Sequence, residues 1–171
     1  FFFKLFVNSG MTSILMYELR EKYKLIYNIQ FDNYTTPYGT YITIEISTKN
    51  TNILQVVKRT LQVLKKLTDG NFPSEHLNYV KKAFLVKSEL ANKNNAWVST
   101  WYADQYINQL NDIINPTIIS HTKLLDYIEK MNKGTFISFV RKLIIFSNLK
   151  LIYTGKKNIP RLEKYVLNWL D

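Results

Sequence analysis

Glu18-Leu19-Arg20-Glu21-Lys22-Tyr23-Lys24-Leu25-Ile26-Tyr27 is the stretch on which the fold of this chain turns. Just upstream, Ile14, Leu15, Tyr17 and Leu19 fall at helical spacing behind Thr12 or Ser13, either of which can cap a helix. Downstream the period changes to two. Leu25, Tyr27, Ile29 and Phe31 are expected on one face, with Asn28, Gln30 and Asp32 on the other. The segment therefore reads as a helix that crosses one turn into a strand, carrying a guanidinium (Arg20) on one side and a phenol (Tyr27) on the other. A second strand is expected over Thr40 to Thr48, with Ile42, Ile44 and Ile46 on one face and Tyr41, Thr43 and Glu45 on the other. Thr35-Thr36-Pro37-Tyr38-Gly39 would be an oversized connection in an antiparallel hairpin.

Helical patterns dominate the rest. Phe1 to Asn8 is apolar and reads as helix, broken at Ser9-Gly10. Asn50 or Thr51 opens a long helix carrying Ile53, Val57, Leu61, Leu64 and Leu67, closed by Asp69-Gly70-Asn71. Ser74 caps the next, with Leu77, Val80 and Phe84 on its apolar face, and Asn92-Lys93-Asn94-Asn95 is a break. Trp97, Trp101, Tyr106, Leu110 and Ile113 lie on a further helix up to Asn115-Pro116, where a core or domain-interface stripe is expected. Ser120 caps a short helix through Leu124 and Ile128, and Lys133-Gly134-Thr135 another through Phe139 and Leu143. Asn148 to Thr154 alternates as a third strand stopped by Gly155, and Pro160 opens a last helix. The order implies an α+β fold, several helices packed on a small antiparallel sheet, as one domain over 1–171.

Composition bounds the chemistry. A chain of 171 residues, 46% hydrophobic and 21% charged, is long enough for one real core. It has no cysteine, so disulfides and thiolate metal sites are excluded. No apolar run reaches the roughly 18 residues needed to span a bilayer. The net charge of +10 comes from nineteen lysines and only four arginines. Nucleic-acid sites rely on clustered arginine forks, whereas these lysines are scattered along helix faces, so a solvated surface is the reading. Heavy use of Asn, Lys, Ile and Tyr suggests an AT-rich genome.

The Leu19-Arg20-Glu21-Lys22 to Leu25-Ile26-Tyr27 segment resembles the LREK-x-G-L-x-Y signature of zinc metallopeptidases related to insulin-degrading enzyme, pitrilysin and the mitochondrial processing peptidase. The likeness extends along nearly all of the chain. Ser9-Gly10-Met11-Thr12-Ser13 stands at the family's glycine turn, and Pro73-Ser74-Glu75-His76-Leu77 at its "E-L-x-x-a-K" helix start. Met131 to Gly155 stands at its closing helix, strand and glycine. The resemblance implies a LuxS/MPP-like metallopeptidase domain of the C-terminal type, the half that grips substrate and holds no zinc. Lys24 stands where the family has glycine, and only Gly10 remains of the glycine turn. Phe1-Phe2-Phe3 opens as if mid-helix, so a fragment of a longer chain, lacking its first strand, is expected.

The family's zinc motif is His-x-x-Glu-His, two histidines one helical turn apart with a carboxylate base. This chain has only His76 and His121, and each reads as an exposed helix-cap residue rather than a ligand. No cofactor is expected here; zinc is expected in a partner domain or subunit, with a peptide as substrate. The resemblance gives Arg20 and Tyr27 the role of substrate and oxyanion contacts. From spacing alone, Tyr27 could be core and Arg20 could pair with Glu18 or sit at a helix C-terminus. An exposed edge of the strand Thr40 to Thr48 could pair with an extended peptide. The alternative function is an inactive structural or assembly subunit on the same fold. Compartment stays open between mitochondrial matrix, cytoplasm and virus particle.

Overall fold

The computed structural model describes residues 3, 7, 13–36, 39–108, 118–155, 159 and 162–170. Helix α1 (Ile14–Met16) runs directly into a wide π-helical turn, Tyr17–Lys22. Strands β1 (Ile26–Thr36) and β2 (Gly39–Thr48) follow, and then a 3₁₀ turn at Asn50–Asn52 leads into α2 (Ile53–Thr68). The remaining helices are α3 (Ser74–Asn92), α4 (Asn95–Asn108), α5 (His121–Lys130), α6 (Lys133–Leu143) and α7 (Leu162–Leu170). This is the expected α+β arrangement, helices on a small antiparallel sheet. The expected helix Phe1 to Asn8 and its break, and the Pro37-Tyr38, Asn115-Pro116 and Pro160 punctuation, lie outside the described residues, apart from helical Phe3 and Val7.

Strands β1 and β2 pair antiparallel from Ile26↔Thr48 to Thr36↔Gly39. The hairpin is therefore tight, not oversized, with only two residues between its strands. Its tip is rich in β-formers, and Tyr34 and Tyr41 stack across it with ring centroids 5.1 Å apart. Ile29 and Phe31 turn one face inward, where they meet half-buried Ile46 and Ile44. Phe3 packs edge-on against Phe31 at 5.6 Å.

The core continues between helices. Leu15, Leu19, Leu67, Phe136 and Val140 are at most 1% exposed. Helix α2 packs on α6 and on the π turn, and α3 packs on α4 and α5. Gly70, at φ 76°, closes α2 in the left-handed conformation that favours glycine. Helix α3 starts one residue earlier than expected, with Pro73 rather than Ser74 at its N-cap. Asn94 accepts hydrogen bonds from the Ala96 and Trp97 amides, Ser120 from Lys123, and Asn132 from Thr135, so three polar residues cap three helix starts.

Several basic residues have structural duties at helix ends. Lys81 Nζ donates to the carbonyls of Glu129 (2.6 Å) and Met131 (2.9 Å) at the close of α5. Arg141 Nε donates to Thr68 (2.8 Å) at the close of α2. Lys133 Nζ donates to Phe72 (2.7 Å). Each satisfies a carbonyl that its own helix or turn leaves open.

The third strand is a correction. Residues 149–154 lie outside any ladder, after a 3₁₀ turn at Phe146–Asn148. Leu149 is extended (φ −68°, ψ 133°), so the alternation signals extended backbone. A strand also needs a neighbour to accept its hydrogen bonds, and none of the described residues pairs with it. Ile152 is 87% exposed as a result.

Candidate functional site

The helix-to-strand turn is built in three steps. The π turn ends at Tyr23, and Lys24 takes φ 55°, the left-handed C-cap conformation. The Lys24 amide donates to Arg20 O (3.1 Å) and the Leu25 amide to Leu19 O (2.8 Å), which seals the helix end. The Leu25 carbonyl then accepts from Thr48 Oγ1 and from Asn52 Nδ2, so the turn is tied to the end of β2 and the start of α2.

The third step is a β-bulge. Ile26 pairs with Thr48 and Asn28 with Ser47, so Tyr27 is an extra residue without a partner in the ladder. A bulge flips the alternation. Ile26 is buried at 7%, whereas Tyr27 is 60% exposed. This corrects the expectation that Tyr27 shares the apolar face with Leu25, Ile29 and Phe31. Arg20 is exposed as well.

Around them the turn is braced. Glu18 lies 3.4 Å from Lys22 and 4.0 Å from Arg59, and hydrogen bonding to Glu18 holds the Lys22 ammonium above the ordinary lysine range. The Arg59 guanidinium, from α2, stands 4.0 Å over the Tyr23 ring. Glu18 is thus engaged by Lys22 and Arg59 and does not serve Arg20. Among the described residues, neither the Arg20 guanidinium nor the Tyr27 hydroxyl has a hydrogen-bond, ion-pair or ring partner. A shallow cleft of about 140 Å³ lies on the other flank of the turn, with Tyr17, Glu18, Lys66 and Phe72 among its walls.

Residues 3–84 match the family model described as the peptidase M16 inactive domain. Those residues are thus similar to the inactive, C-terminal type of M16 domain. A likeness of fold extends past the matched residues. A protease from Helicobacter pylori, known from its crystal structure, superposes with a TM-score of 0.63 at 16% identity. The superposition covers 82% of this chain and 33% of that protease, so the chain spans about a third of its length. No curated protein matches the chain in sequence.

Within the matched segment, Lys24 stands where the similar signature has glycine, and the position demands a positive φ. The zinc test has a plain result. Among the described residues no group of three His, Cys, Asp or Glu side chains could hold a metal ion. The two histidines, moreover, are not the exposed caps expected. His121 is 6% exposed and stands edge-on to Trp97 (5.2 Å) and Trp101 (6.1 Å), whose indoles stack 5.7 Å apart. His76 is half-buried. The described residues do not fit a zinc site. No helix among the described residues is long and apolar enough to cross a membrane.

Proposed function

We propose that this domain is the substrate-gripping, non-zinc part of an insulinase-like metallopeptidase, acting on a peptide together with a zinc-bearing domain or subunit. The observation that carries the reading is the exposure of Arg20 and Tyr27 at two consecutive backbone irregularities, with neither polar end partnered among the described residues. An exposed guanidinium and phenol can both donate hydrogen bonds to a peptide carbonyl. Such donors matter most where negative charge builds up on that oxygen during cleavage. The left-handed turn at Lys24 and the bonds to the Leu25 carbonyl fix the backbone between them, so the two donors project from fixed points when substrate arrives.

The test uses the full assembly with its zinc partner, a quenched fluorescent peptide, and a chelator control. Tyr27→Phe and Arg20→Lys should each lower kcat by on the order of 100-fold with unchanged thermal unfolding. Full activity in both variants would sink the gripping role. Chelator-insensitive, zinc-free preparations without cleavage would point instead to a structural or assembly subunit on the same fold.

A further inference from the structure

Helix α3 is apolar on two separate faces. Leu77, Val80 and Phe84 are each 3% exposed and face the core. About 120° round the helix lie Tyr79, Ala83, Val86 and Leu90, and of these Tyr79, Val86 and Leu90 are 54%, 58% and 62% exposed. The preceding helix, α2, leaves no large hydrophobic residue exposed. Single exposed leucines are ordinary on a protein surface, but this stripe is not scattered. Its spacings of four, three and four residues are those of a coiled-coil seam, two heptads long.

The charges beside the seam indicate what covers it. Lys82 precedes Ala83 and Glu89 precedes Leu90, the same flanking position in successive heptads. Both are exposed, and among the described residues neither has an ion-pair partner. Seven residues apart on one helix, they stand about 10 Å from each other along its axis and cannot pair. They can pair across a two-fold axis. When two copies of the seam lie antiparallel, Tyr79 faces Leu90 of the second copy and Ala83 faces Val86. Lys82 then comes opposite Glu89 twice. A parallel pairing would put no such opposite charges together at this flank.

We infer that the outer face of α3 is a self-complementary interface on which a second copy of this chain docks antiparallel. The small Ala83 lets the helices approach at the centre, with the larger side chains filling either end. A seam of four residues is short for a stable dimer, so association at concentrations on the order of 10–100 µM is expected.

The chain has no cysteine, so introduced thiols report without background. Full chain carrying Tyr79→Cys and full chain carrying Leu90→Cys, each otherwise unchanged, should form a disulfide-linked dimer when mixed under mild oxidation. Each alone should cross-link at least tenfold less. Sedimentation should show dimer in the parent chain, loss of dimer in Lys82→Glu, and recovery in Lys82→Glu/Glu89→Lys. Val86→Lys serves as a second disrupting variant should the charge variants be poorly folded. Monomer at every concentration, self-linking of Leu90→Cys alone, or a dimer indifferent to both the charge reversal and Val86→Lys would overturn the inference.

Discussion

Arg141 and Arg20 are the same residue type in two regions with opposite character. In the α2–α6 layer, Arg141 donates to the Thr68 carbonyl, Lys133 to that of Phe72, and the rings of Phe72 and Phe136 meet edge-to-face at 5.7 Å. Polar ends there finish helix termini, and apolar bodies fill the core. In the Arg20–Tyr27 segment the backbone is the satisfied part. The Leu25 carbonyl accepts twice, while the Arg20 and Tyr27 side chains are exposed and have no polar partner among the described residues. Residue type does not separate the two arginines; their partners do.

The contrast can be broken from either side. Phe136→Ala, at a fully buried site, should cost about 3–5 kcal/mol in denaturant unfolding, enough to threaten folding. Arg141→Ala should cost roughly 1–2 kcal/mol in the same assay, since a charged donor is lost and the Thr68 carbonyl is left open. Lys24→Gly should stabilise by about 0.5–1 kcal/mol, because a lysine is relieved of a left-handed backbone; destabilisation would contradict the sealed helix end described above. Arg20→Ala and Tyr27→Phe should stay within about 0.5 kcal/mol of the parent, the range for exposed residues without partners. A larger loss in either would make it a structural residue like Arg141.

Much of the fold was legible in the sequence because helical period and caps are local signals. The α2 stripe, the Asn92–Asn95 break and the Ser120 cap all follow from neighbours within one or two turns. The misses were non-local. The period-two reading put Tyr27 inward because it assumes an unbroken ladder, and a bulge is visible only against the partner strand. Residues 149–154 carry strand alternation, but the pairing that makes a strand lies outside the segment. His121 looked like an exposed cap until α4 laid two indoles over it. Arg20 and Tyr27 were singled out by resemblance; the residues alone favoured core packing for Tyr27 and an ion pair or helix-end charge for Arg20.

The π turn that carries Arg20 and the bulge at Tyr27 are the same event in genetic terms. A π turn is an α-helix with one residue too many, and a bulge is a strand with one residue too many. Each behaves as a single inserted codon. Removing one residue from the first would swing the side chains before it by about 100° around the helix axis. Removing one from the second would restore strict alternation beyond it. The outlook of this segment is thus written in residue count as much as residue identity. Single-codon deletions, rather than substitutions, are the changes that would turn it to face elsewhere.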